Sequence, residues 1–286
     1  MDSSLSISRH YLNKIGFHRN VSLIFDDLSE ILNLHIESIP FGNLDAFLGN
    51  GISVDVEQVA KKLLDDEREG YCLEQNVLTT YVLNELGFEA FNLLARVYYQ
   101  GTHVDAPIKT HLLTIVNLNN ELFLFDPGFG GMTPTGVLSL SKINEVQNTP
   151  YESFRLVDVC NSGVAESALL GMKFMLQVYI KDTWINVYAF NPEHRIAQSD
   201  IITANWYIST SPQSLFTQNL MFSVIQEGKR KTINNNVMKE YSNTGIHKKT
   251  LISIEDYRKC FKENFNLTIP DEDLNLLLKK LGDRLE

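Results

Sequence analysis

Cys72, His111 and Asp126 have the residue types that covalent acyl chemistry needs: a thiol, a base and a carboxylate to orient the base. Cys72 lies in Arg68-Glu69-Gly70-Tyr71-Cys72-Leu73-Glu74-Gln75-Asn76. Gly70 ends a loop there and helical periodicity follows, so the thiol sits in or beside the first turn of a helix. The positive end of a helix dipole favours a thiolate. The alternative is a small buried hydrophobe, which is what most lone cysteines are.

A base comes from the segment Thr110-His111-Leu112-Leu113-Thr114-Ile115-Val116-Asn117-Leu118, which Asn119-Asn120 joins to Glu121-Leu122-Phe123-Leu124-Phe125-Asp126. Two apolar runs around a two-residue Asn-Asn turn predict a hairpin, because Asn tolerates the positive φ of a type I′ turn. With Leu118 opposite Glu121, Leu113 stands opposite Asp126, and His111 becomes its diagonal neighbour at ~7–8 Å between backbones. The carboxylate is then expected to accept the Nδ1 proton of His111 and to fix its tautomer. Taken singly, His111 reads equally as a core histidine and Asp126 as a turn residue before Pro127-Gly128. The hairpin makes them a pair, and the pair needs a nucleophile that Cys72 supplies.

The elements that must position these groups change character along the chain. Residues 21–34 place Leu23, Ile24, Leu28, Ile31 and Leu32 on one helical stripe, and residues 56–64 and 73–86 continue the pattern up to Gly87 at a C′ position. Ile39-Pro40-Phe41 and Gly49-Asn50-Gly51 read as turns between helices, so the N-terminal part is expected to be a small helical bundle. Runs at 90–99, 112–118, 121–125, 172–179 and 184–189 are β-branched and aromatic, which suits an antiparallel barrel or sandwich. Beyond Ser199 the pattern is mixed, ending in amphipathic stretches at 254–265 and 270–281; Pro270 suits N1, with Asp271 and Glu272 complementing the dipole.

At 286 residues, two or three packed domains are expected, and 44% hydrophobic with 21% charged residues is the profile of a folded globular chain. A formal charge of −10 argues against a general nucleic-acid surface but not against a local anion site. No run of ~18 apolar residues occurs, and residues 1–9 lack a secretory pattern, so the chain is expected to be cytoplasmic and not membrane-bound. Cysteines at 72, 160 and 260 have neither zinc nor disulfide spacing; free thiols and no metal are expected.

The segment Arg68 to Asn76 resembles the R-G-G-F-C-x-E-x-N signature of arylamine N-acetyltransferases. Thr110-His111-Leu112 resembles that family's T-H-x, and Asp126-Pro127-Gly128-Phe129-Gly130-Gly131 its D-V-G-F-G-G. Further similarity runs through Ile15-Gly16, Ile39-Pro40-Phe41 with Asn43, Leu86-Gly87-Phe88, Ala95-Arg96-Val97, and Tyr207 to Pro212 with Phe216. The resemblance implies an α+β fold: a helical bundle over 1–88, an antiparallel β-barrel over 89–198 and an α/β lid over 199–286. It implies acetyl-coenzyme A as donor, arylamines or arylhydrazines as acceptors, and a ping-pong route through a thioester on Cys72, with His111 as base and Asp126 orienting it. It also implies that Phe41, Thr110 and Phe129 line the acceptor pocket and that Tyr207, Ser211 and Gln213 contact coenzyme A. The plainer alternatives are a core Phe at 129 and an ordinary helix-to-strand connection at 211–213. Lys229, Arg230 and Lys231 read as phosphate contacts or, more ordinarily, as a solvated hairpin edge.

The chain departs from the family pattern at Glu69, where Gly is usual, and at Gly42, where P-F-E-N would place Glu. Either Glu69 substitutes as counter-charge for Arg68 or Arg68 is more exposed. Leu73 and Pro127 also differ from common choices, leaving acceptor preference open. An amide synthase or acyl-thioester hydrolase of the same fold would use identical groups, and a non-catalytic ligand-binding homologue would retain the pocket. The oligomeric state is not legible.

Overall fold

The computed structural model describes residues 6–282 apart from 100, 102 and 243, so residues 1–5 of the segment 1–9 and the last four residues of the sequence lie outside the described region. The N-terminal helices are α1 (Ile7–Ile15), α2 (Phe25–Ser38), α3 (Leu44–Leu48), α4 (Val56–Ala60) and α5 (Cys72–Glu85), with a π-helical turn at Lys61–Asp65 running on from α4. The expected helix at 21–34 starts later, because Leu23 and Ile24 stay exposed while the buried stripe continues to His35 and Ile36. Tyr11, Leu28, Ile31, Leu32, Leu78 and Val82 interlock these helices and pack on Val116, Phe123 and Phe125 of the following sheet. Each such fully buried side chain contributes roughly 1.5–3 kcal/mol.

Between α2 and α3, residues 39–41 are not a simple turn. Phe41–Gly42 forms a short strand, β1, whose pairing lies far along the chain.

The central sheet has eight antiparallel strands: β2 (Glu89–Val97), β3 (Lys109–Leu118), β4 (Glu121–Phe125), β5 (Leu138–Ser139), β6 (Gln147–Asn148), β7 (Ser153–Asp158), β8 (Phe174–Ile180) and β9 (Thr183–Phe190). Their order is β5-β4-β3-β2-β9-β8-β7-β6, with β5 and β6 as the edges. The Gln147 side chain closes that seam: it accepts from Ser139 N at 2.8 Å and donates to Ser139 O at 3.0 Å. The result is a nearly closed barrel filled by Leu93, Ile115, Leu124, Phe154, Leu176, Tyr188 and Phe190. The β3–β4 hairpin has the expected register, Leu118 opposite Glu121, with Asn119 and Asn120 at φ 55° and 66°.

After α6 (Gln198–Thr210) and α7 (Leu215–Gln218), strands β10 (Met221–Gln226), β11 (Lys229–Asn234), β12 (Val237–Ser242) and β13 (Gly245–Thr250) form a second antiparallel sheet. β1 extends it, Phe41 opposite Ser223 and Gly42 opposite Phe222. Helices α8 (Ile254–Phe265) and α9 (Asp271–Gly282) cover this sheet through Tyr257, Phe261, Phe265, Leu274 and Leu277, joined by Leu44 and Phe47 of α3. The chain is therefore α+β, with a helical N-terminal part and a barrel-like middle. Among the described residues, no helix is long and apolar enough to cross a membrane.

Candidate active site

Cys72 is the first residue of α5 and is buried at 3% exposure, its Sγ 3.8 Å from the carbonyl oxygen of Thr110. The turn into α5 is held by Glu74, whose Oε2 accepts from Tyr71 N at 3.0 Å, and by Gln75, whose amide donates to the carbonyls of Gly70 (2.8 Å) and Pro40 (3.2 Å). Beneath this, Tyr11 donates to His35 Nδ1 at 2.8 Å, and His35 Nε2 is 3.2 Å from Gln75 Oε1. Burial keeps His35 neutral, lowering its pKa to about 4 despite the Gln75 bond.

His111 pairs with Ala95 across β2 and β3, and Asp126 follows the last residue of β4. Their side chains meet as the hairpin register predicts, but through the other ring nitrogen: Nε2, not Nδ1, lies 2.8 Å from Asp126 Oδ2. Nε2 is at the far tip of the ring and reaches the carboxylate beyond β4, and the His111 ring also interacts with the Cys72 side chain. Gly128 permits the close approach of this loop to α5, since a Cβ there would lie 2.7 Å from Asn76 Nδ2 and 3.1 Å from the Cys72 Cα.

Asp126 is fully buried and accepts three more hydrogen bonds: from Tyr188 Oη at 2.7 Å, Asn76 Nδ2 at 3.1 Å and Gly128 N at 3.1 Å. Burial works against its charge, yet His111, Tyr188 and Asn76 together hold its pKa below the usual carboxylate value. Burial likewise opposes charge on His111, but Asp126 and the bond to Cys72 more than offset it and raise the pKa to about 9. Such a site favours an imidazolium close to the Cys72 thiol, with both groups buried. A thiol so paired is equipped for attack on a carbonyl.

The remaining candidates divide. Phe129 stands edge-on to His111, ring centroids 5.0 Å apart, and 5.2 Å from Tyr188; it is half-buried. Phe41 packs in the same apolar cluster as Cys72, Tyr71, Leu94 and Leu112, and Thr110 presents its carbonyl to the thiol. Tyr207 borders that cluster from α6. Ser211 and Gln213 lie between α6 and α7, where Ser211 Oγ accepts from Gln213 N at 3.3 Å. That stretch connects two helices, not a helix to a strand. Arg230 is not on a solvated edge: at 8% exposure it binds Glu152 at 3.0 Å and donates to the carbonyls of Gly130 (3.4 Å) and Thr133 (3.3 Å), clamping the loop that follows Asp126.

The charge exchange at 42 and 69 has a third member. Glu69 is fully buried and lies 3.4 Å from Arg68, but Asp45 is closer to Arg68 at 3.0 Å and also pairs with Lys62 at 2.7 Å. Lys62 in turn holds Glu74 at 2.8 Å. A Cβ on Gly42 would lie 2.4 Å from Glu69 Cγ and 2.6 Å from Phe222, so the space of a residue-42 side chain is already filled by Glu69.

Residues 25–274 match the N-acetyltransferase family model. The arylamine N-acetyltransferase of Mycobacterium tuberculosis is 32% identical over 266 residues, 91% of this chain and 89% of its own. The chain belongs to the arylamine N-acetyltransferase family. The Escherichia coli enzyme of that name is 31% identical over 267 residues, covering 93% of this chain and 90% of its own. The family's structure from Mycobacterium marinum superposes with a TM-score of 0.86 at 28% identity, covering 96% of this chain and 98% of that one. The same relative solved in complex with CoA gives 0.85 with the same identity and coverage.

Within this family member, sequence reasoning missed Tyr188 and Asp45 and assigned no part to Asn76. Tyr188 sits in an ordinary alternating strand 62 positions from Asp126, so nothing local marks it. Asp45 carried a weak signal: a carboxylate three residues after the glycine that lacks one.

Proposed function

We propose that this chain transfers an acetyl group from acetyl-coenzyme A to the amino group of an arylamine or arylhydrazine in two half-reactions, through a thioester on Cys72. The observation that carries this reading is the buried line from the Cys72 thiol through the His111 ring to Asp126, at 2.8 Å on the carboxylate side. In the first half-reaction the Cys72 sulfur attacks the acetyl carbonyl, an S–C bond forms, and coenzyme A leaves as its thiol with the proton that His111 returns. In the second, the amine attacks the acetyl-cysteine, His111 takes its proton, the S–C bond breaks and the amide departs.

Asp126 holds the His111 ring in place throughout and stabilises its charged form whenever the ring carries the proton. Phe129, Phe41 and Thr110 line the acceptor side, where the exposed part of the Phe129 ring offers a stacking face. Tyr207, Ser211 and Gln213 meet coenzyme A, the ligand of the M. marinum complex. Residues 1–88, 89–198 and 199–286 act as three domains, with the nucleophile on the first and the base and its orienting acid on the second. Initial rates measured against both substrates test the mechanism. Parallel double-reciprocal lines, abolished with all activity in Cys72→Ala, are expected; intersecting lines would point to direct transfer without an acyl-enzyme.

A further inference from the structure

Thr114 is the polar residue in a run of β3 that is otherwise apolar, Leu112 to Val116, and it is fully buried. A hydroxyl in such a place costs roughly 1–3 kcal/mol unless it is bonded. Thr114 Oγ1 is bonded on both sides: it lies 2.9 Å from Asn76 Oδ1 and 2.8 Å from Thr80 Oγ1. Asn76 must turn its NH₂ toward Asp126 and the carbonyl of Leu112, at 3.1 Å and 2.9 Å, so its Oδ1 requires a donor. Thr114 then donates to Asn76, accepts from Thr80, and Thr80 accepts from Asn92 Nδ2 at 2.7 Å. Every link points its proton the same way, from half-buried Asn92 and Thr80 to the buried carboxylate.

We propose that Thr114 is a positioning residue for acyl transfer: by donating to Asn76 it fixes the amide so that the NH₂ faces Asp126 and supports the charge on His111. This rests on the proposed roles of Cys72, His111 and Asp126. Valine at 114 has the same shape and no donor. It leaves Asn76 Oδ1 buried without a partner, and the amide then loses the constraint that keeps its donor on the carboxylate. The titratable groups that face His111 are Asp126, Cys72 from α5 and Tyr188 from β9; none of them is altered by the substitution.

The test is the titration of the His111 ring followed by NMR, together with the rate of acetyl transfer, in wild type, Thr114→Val and Thr114→Ser. The His111 midpoint is expected to fall by about half a unit to one unit in Thr114→Val and the rate by roughly 3- to 10-fold, the factor to which that shift converts. Thr114→Ser restores both. An unmoved midpoint in Thr114→Val, with or without a slower rate, overturns the proposal, because a packing defect alone slows the enzyme without touching the titration. If Thr114→Val does not fold, Thr80→Val removes the preceding donor and should shift the midpoint the same way by less; no shift there also overturns it. Asp126→Asn is the control. If that variant leaves the His111 titration unchanged, the underlying reading of the site fails, and this inference fails with it.

Discussion

Asp126 takes hydrogen bonds from His111, Tyr188, Asn76 and Gly128 N, so an amide in its place must disturb several partners at once. In Asp126→Asn the NH₂ can donate to His111 Nε2 and select the tautomer in which Nε2 is the acceptor, placing the proton on Nδ1. Acyl transfer should fall on the order of 10²-fold or more, as measured by single-turnover acylation, with little change in coenzyme A binding. The pairing also makes stability depend on pH. The folded pKa of His111, about 9, lies above its ordinary 6.5, so the stabilisation is fully present below pH 6.5 and is lost as pH rises through 9. Denaturant titrations across that window should lose up to about 3 kcal/mol in wild type and much less in His111→Gln. The His–Asp pair was legible because the Asn119-Asn120 turn sets the hairpin register. The choice of Nε2 was not, because it depends on where α5 brings the thiol. Tyr188 was invisible for a related reason: only closure of the barrel carries β9 to the end of β4.

At the scale of elements, the turn into α5 is braced by buried charges whose partners cross between helices. Asp45 on α3 neutralises both Lys62 and Arg68, so Asp45→Asn should cost roughly 2 kcal/mol and lower the melting temperature. An unchanged melting temperature would mean that Glu69 and Glu74 suffice as counter-charges. The same geometry revises the simple exchange suggested by Gly42 and Glu69. Restoring a side chain at 42 requires moving both Glu69 and Phe222, and even Gly42→Ala should destabilise by about 1–3 kcal/mol in thermal or denaturant unfolding. Helix α8 was readable to its ends, since its apolar spacing, Ser253 cap and following Asn266 all agree. The strand at Phe41–Gly42 was not, because two residues carry no periodicity and its partner is β10.

Across the whole molecule, the C-terminal sheet is tied to the site region at two places. Asn43 donates to the carbonyls of Phe216 and Asn219 and accepts from Met221 N at 2.7 Å, while Arg230 spans from β11 to Glu152 and the loop after Asp126. Arg230→Met should slow acylation by roughly 10-fold through loosening of that loop, and also lower thermal stability, because Glu152 loses its partner. Wild-type rates in that variant would show that the loop holds its shape without the clamp. The Arg230 joint was hidden in a basic run that reads locally as solvent-facing. The most direct test of the central claim is intact-mass spectrometry after mixing with acetyl-coenzyme A. One added acetyl group per chain, mapped to Cys72, absent from Cys72→Ala and discharged when an arylamine is added, is the predicted result. No adduct in the absence of amine while product still forms, or an acetyl group on Cys160 or Cys260, would contradict it.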